Sequence, residues 1–234
     1  MALWLDTVFH SFDYAILEAI HRFAVATGGS LTWLIRLITS VGDGGLGFIL
    51  LGLLLLPFKK TRKVGIVVLG AIVVGALITN VTVKPLVARP RPYTHDIYRP
   101  FWEFAGATLE SEKSFPSGHT TTAFAAMGAV FLTCRKKYSW TALVFAALVG
   151  FTRLYLAVHY PTDVLGGIIA GMVAAVVSFV LFRLVFRLLE KYKNNPVCRF
   201  ILNADVIGFA RRLFCKKTVT ADEVAAITDS SEEV

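Results

Sequence analysis

Residues 153–163 read Arg-Leu-Tyr-Leu-Ala-Val-His-Tyr-Pro-Thr-Asp. They join two apolar runs, residues 138–158 and 164–182, each long enough to cross a hydrocarbon core about 30 Å thick. Arg153 still lies inside the first run, where a charge is costly unless paired or hydrated. Pro161 suits a helix start, so His159 and Asp163 stand four residues apart across the beginning of the next helix. A carboxylate bonded to one ring nitrogen fixes the tautomer and leaves the other nitrogen free to attack. Taken alone, the same residues also read as a structural histidine beside a capping aspartate.

Outward from this hinge the chain keeps a membrane character. Of its 234 residues 56% are hydrophobic and only 17% charged, a balance that soluble domains do not show. Residues 64–83 and 117–134 are two further spans. A fifth, residues 46–58, is short, and the break Gly42-Asp43-Gly44-Gly45 separates it from apolar residues 31–40. This reads as an interfacial helix, a kink and a span. In residues 1–26, Glu18, His21 and Arg22 interrupt any candidate span, so an amphipathic helix in the interface is expected.

The expected fold is therefore all-α, an integral-membrane bundle of about five transmembrane helices with interfacial helices. Residues 1–44 are the interfacial segment, 45–193 the transmembrane domain and 194–234 a cytoplasmic extension. Within the extension, residues 200–214 should lie on the leaflet and the acidic end from 222 should be disordered. No internal repeat is evident, which weakens transporter readings.

The net charge is +8, yet the basic residues fall in short clusters between apolar runs. Anionic lipid headgroups suit that pattern, and nucleic acid does not. Lys59, Lys60, Arg62 and Lys63, then Arg135, Lys136 and Lys137, then Arg183, Arg187, Lys191 and Lys193 should share the cytoplasmic side. Residues 84–116 and 158–163 then face outward. The first twenty residues hold Asp6, Asp13 and Glu18 and show no cleavable signal peptide. Cys134, Cys198 and Cys215 are too few and scattered for a disulfide framework or a zinc site, and free thiols are expected.

Two more clusters belong to the outward face. Residues 84–92 read Lys-Pro-Leu-Val-Ala-Arg-Pro-Arg-Pro, and Pro85 predicts that the helix stops at once, leaving its cations at the membrane rim. They read either as a snorkelling anchor or as a phosphate clamp. Pro116-Ser117-Gly118-His119 opens the next span, where unpaired backbone N–H groups and the positive dipole end favour an anion. Ser117 can cap this helix, and Gly118 allows close approach.

Together these residues resemble the type 2 phosphatidic acid phosphatase (PAP2) superfamily. Its signature is Lys, six residues, Arg-Pro; then Pro-Ser-Gly-His; then Ser-Arg, five residues, His, three residues, Asp. The chain supplies Lys84 with Arg91-Pro92, then Pro116 to His119, then Arg153, His159 and Asp163, all at matching spacing. Thr152 replaces the usual serine, and Arg89-Pro90 duplicates the Arg-Pro pair, leaving open which arginine meets phosphate. The resemblance covers roughly residues 31–189.

The resemblance implies that His159 is the nucleophile, Asp163 its orienting partner and His119 the proton donor to the leaving oxygen. Lys84, Arg91, Ser117, Gly118 and Arg153 would hold the phosphoryl oxygens, with no metal and no cofactor. The implied activity is removal of a terminal phosphate from a lipid phosphate or diphosphate at the outer face of the cell membrane. Undecaprenyl diphosphate, phosphatidylglycerophosphate and phosphatidic acid are the candidate substrates. A phosphotransferase of the same superfamily and a transporter without chemistry are the alternatives. The loop of residues 93–114, with Tyr98, Phe101, Trp102 and Phe104, is rich in aromatics that suit a membrane-interface lid.

Overall fold

The computed structural model describes residues 1–110 and 113–203. The helices are α1 (Ala2–Val8), α2 (His10–Ala26), α3 (Thr32–Ser40), α4 (Leu46–Leu55), α5 (Arg62–Ala76), α6 (Lys84–Val87), α7 (Arg99–Ala105), α8 (Gly118–Thr133), α9 (Lys136–Tyr155), α10 (Pro161–Lys191) and α11 (Pro196–Asn203). No strand occurs among the described residues. The protein is an all-helical membrane bundle, as expected. Three helical stretches, Thr32–Leu55, Arg62–Thr94 and Pro161–Lys191, are long and apolar enough to cross a membrane.

Helix α8 is the axis of the bundle, with α5, α9 and α10 packed around it. Small residues make this possible. A Cβ added to Gly171 of α10 would lie 2.6 Å from the Thr121 carbonyl oxygen, and one added to Gly167 would lie 2.9 Å from that of Ser117. Only glycine lets two helix backbones meet so closely, and such small-residue seams drive helix association where lipid offers no hydrophobic gain. Phe48, Val67, Val68, Ala71, Ala123, Val149 and Ala174 fill the space between the helices. Val73, Leu77, Ile169, Val173 and Leu184 remain exposed, as side chains facing hydrocarbon would.

Two close approaches gather the functional ends. The Ser117 backbone N–H donates to the Asp163 carbonyl at 3.1 Å, which brings together the starts of α8 and α10. Lys84 Nζ, beyond the end of α5, lies 3.7 Å from where a Gly118 Cβ would stand. The basic turns between α4 and α5 and between α8 and α9, and the basic end of α10, fall at the far ends of the same helices.

The structure departs from the sequence expectation at Pro85. The helix does not stop there: α5 continues through π-wound Leu77–Val83 into α6 and ends at Ala88, which takes φ of 50°. The wider π winding shifts the upstream carbonyls away from the proline ring and tolerates its missing N–H. The break between α3 and α4 is present as a 3₁₀ turn, Asp43–Gly45, in which Gly44 and Gly45 take φ of 58° and 72°.

At the N-terminus a break at Phe9 divides two helices, and α2 buries Asp13, Leu17 and Ala24. It packs on α7, α9 and α10. Cys134 and Cys198 are free thiols. The expectations for Cys215, for the acidic end and for most of residues 200–214 lie outside the described residues.

Candidate active site

His159 sits in the short link between α9 and α10 and is 1% exposed. Its Nδ1 faces Asp163 Oδ2 at 3.3 Å, and its Nε2 lies 3.0 Å from Arg91 Nη1. A guanidinium can only donate, so Nε2 is the acceptor and the neutral ring carries its proton on Nδ1, toward the aspartate. The nitrogen carrying the lone pair thus points to a cation. Burial, reinforced by the Arg91 and Arg153 guanidiniums, holds the imidazole well below its ordinary titration range, so it is neutral at pH 7.

Asp163 is completely buried and held from several sides. Its Oδ2 accepts from the Tyr160 backbone N–H at 2.9 Å and from the Ser114 hydroxyl. Its Oδ1 accepts from Arg89 Nη1 at 2.9 Å. The two arginines of Arg-Pro-Arg-Pro therefore face different ways, Arg91 toward His159 and Arg89 toward the carboxylate behind it. Of the duplicated pair, Arg91 is the one beside His159.

Arg153 donates from Nη1 to the Thr39 hydroxyl at 2.7 Å and pairs through Nη2 with Glu110. Its Nε is buried and has no hydrogen-bond partner among the described residues, a donor that could serve an anion. Arg91 Nη1 pairs with the other Glu110 oxygen at 2.9 Å. The Glu110 carboxylate thus bridges two guanidiniums as a phosphoryl group would. Burial alone would raise its pKa, but Arg153 and Arg91 outweigh that and bring it down to about 2.

Ser117 caps α8, and its Oγ accepts from the Thr120 hydroxyl at 2.9 Å, leaving its own proton to donate. His119 donates from Nε2 to Asp43 Oδ1 at 2.8 Å. Both imidazoles lie within electrostatic reach of Arg153 and Glu110. Beside them opens a cleft of about 220 Å³, lined by Arg36, Thr39, Asp43, Glu110, Arg153 and Val158 among others. Lys84 is within reach of Arg91, Arg153, Glu110 and Asp163.

Lys84, Arg91, Ser117, Gly118, His119, Arg153, His159 and Asp163 are thus brought to one end of the bundle. Asp43, Glu110, Ser114 and Asp13 were not singled out from sequence. Only Asp43, in its glycine-rich break, carried a local signal. Among the described residues no group of three or more His, Cys, Asp or Glu side chains is placed to hold a metal ion.

The PAP2 superfamily model matches residues 65–187, more than half of the chain. The chain belongs to the PAP2 superfamily. Among PAP2 relatives, undecaprenyl-diphosphatase BcrC of Bacillus subtilis is 30% identical over 158 residues, covering 67% of this chain and 77% of that protein. Phosphatidylglycerophosphatase B of Bacillus subtilis is 39% identical over 98 residues, 38% of this chain and 43% of that protein. A crystal structure of the first transmembrane PAP2-type phosphatidylglycerolphosphate phosphatase from Bacillus subtilis superposes with a TM-score of 0.57. It is 28% identical and covers 78% of this chain and 90% of that one. As a PAP2 enzyme the chain stands among membrane lipid phosphatases.

Proposed function

We propose that this chain hydrolyses the terminal phosphate of a lipid phosphate or diphosphate through a phosphohistidine on His159, without a metal. The observation that carries the proposal is the hydrogen-bonding of His159, with Nδ1 on Asp163 and Nε2 beside Arg91. Nε2 attacks phosphorus while the bond to the lipid oxygen breaks. His119 gives that oxygen its proton, then takes one from the water that cleaves the phosphohistidine and releases inorganic phosphate. Phosphoryl transfer needs in-line positioning and charge neutralisation. Lys84, Arg91 and Arg153 supply the charge, and Ser117 with the Gly118 backbone completes the cradle.

A five-span topology with the site facing outward is supported by the basic turns at the opposite helix ends. Undecaprenyl diphosphate is the favoured substrate, because an active site on the outer face meets the spent carrier lipid there.

The test is inorganic phosphate release by detergent-solubilised protein in EDTA, with undecaprenyl diphosphate, phosphatidylglycerophosphate and phosphatidic acid offered separately. Release should be fastest on undecaprenyl diphosphate and be lost in His159→Ala. Equal release by both proteins defeats the nucleophile assignment. Activity recovered only on adding Mg²⁺ defeats the metal-independent mechanism.

A further inference from the structure

We infer that Asp13 is a positioning residue for the His159–Asp163 pair, acting through Arg89 and Thr162. It lies on α2, before the residues 65–187 that match the family model. The inference deepens the proposed function, since it rests on His159 being the nucleophile.

Asp13 is 0% exposed although it belongs to a helix otherwise half open to its surroundings. A buried carboxylate of this kind persists only when its oxygens are hydrogen-bonded and its charge is matched. Its Oδ1 accepts from the Thr162 backbone N–H at 3.0 Å, and its Oδ2 accepts from the Thr162 hydroxyl at 2.8 Å and from Arg89 Nη2 at 2.8 Å. Thr162 is the second residue of α10, so Asp13 caps from outside the helix whose third residue is Asp163.

Arg89 completes the relay. Its Nε pairs with Asp6 at 2.7 Å, its Nη2 with Asp13, and its Nη1 with both Asp163 Oδ1 and the Thr162 hydroxyl, the latter at 2.7 Å. The guanidinium also lies 3.7 Å above the Tyr160 ring. One cation is thus shared among three carboxylates, two from the N-terminal helices and one from the reacting pair. With Asp13 neutral, Arg89 would turn more of its charge on Asp163, and Asp163 would become a weaker acceptor for His159 Nδ1–H. The positive charge that develops on His159 during attack would then be less well matched.

The charged groups facing His159 are Asp163 on α10, Arg153 on α9, Lys84 on α6, Arg91 in the segment after α6, and Glu110 from the loop after α7. Those around Asp13 are Arg89 and Asp6, with His10, His95, Tyr98 and Tyr160 lining the adjacent cavity.

The test compares wild type and Asp13→Asn as full-length protein in detergent, hydrolysing undecaprenyl diphosphate across a pH series. Expected are a kcat reduced roughly tenfold or more, as when partners behind a catalytic group are removed, a KM little changed, and an acid limb moved to lower pH. A merely structural role would reduce the amount of folded protein and leave the limb where it was. That result, or an unchanged kcat and limb, overturns the inference. If Asp13→Asn does not fold, Thr162→Val carries the test on the same relay: it removes the hydroxyl that competes with Asp163 for Arg89 Nη1 and donates to Asp13, so Nη1 turns wholly to Asp163 and the limb should move to lower pH. Its acid limb must move as well. Failure of the nucleophile role is read separately, from His159→Ala retaining wild-type phosphate release.

Discussion

Arg91 Nη1 lies 3.0 Å from His159 Nε2, so the lone pair proposed to attack phosphorus is already aligned with the cation proposed to bind the phosphoryl group. Burial, Arg91 and Arg153 all depress the imidazole pKa below 6.5. A group depressed in this way is in its neutral, attacking form at pH values where a free histidine is protonated.

The acid limb of kcat/KM should therefore fall below the ordinary histidine range, the alkaline limb reporting loss of the proton donor. Arg91→Gln removes one depressing charge, so the acid limb should move up while kcat/KM drops roughly 10²- to 10³-fold with the lost oxyanion contact. A downward move in this variant contradicts the electrostatic account. The profile is read from initial rates of phosphate release.

Glu110 holds the guanidiniums that a phosphoryl group would need. Glu110→Gln removes the competing charge and should tighten inhibition by orthovanadate several-fold, measured from inhibition constants. The same pair contributes stability with a definite sign. The folded carboxyl, at about 2 against an ordinary 4.5, gives a stabilisation that is complete above 4.5 and fades as pH falls toward 2. The gap in thermal midpoint between wild type and variant should shrink over that interval; a widening gap refutes the assignment.

Gly42 fixes the second imidazole. A Cβ there would stand 2.8 Å from His119 Cδ2 and 3.2 Å from the Thr39 carbonyl oxygen. Gly42→Ala should push the ring off Asp43 and lower kcat roughly tenfold to a hundredfold, with the melting midpoint nearly unchanged. A variant as active as wild type removes His119 from any orientation-sensitive role.

The seam between α8 and α10 tolerates no side chain at Gly171, because the nearest obstacle is the Thr121 backbone carbonyl. Gly171→Ala should cost about 1–3 kcal/mol through overpacking, visible as a lower thermal midpoint in detergent. Unchanged stability would show that the two helices can separate without loss.

The three clusters were legible in sequence because each is local: a hinge, a helix start and a rim segment whose residue types name their chemistry. Glu110 and Ser114 were not, because a glutamate and a serine in a polar loop look the same whether or not they meet an arginine or an aspartate. Pro85 misled for a related reason. Proline rules assume α winding, and the π-wound turns before it relax the clash.

What the sequence determined by itself is a helical membrane protein with phosphate-binding chemistry, since hydropathy, basic loops and motif spacing are properties of contiguous residues. What only the tertiary structure decided is which of two neighbouring arginines faces His159, and that the other pairs with buried Asp13 and half-buried Asp6. The physical reason is that these contacts join residues 68 to 83 positions apart. Their energy depends on burial and hydrogen-bond direction, which exist only once the helices have packed.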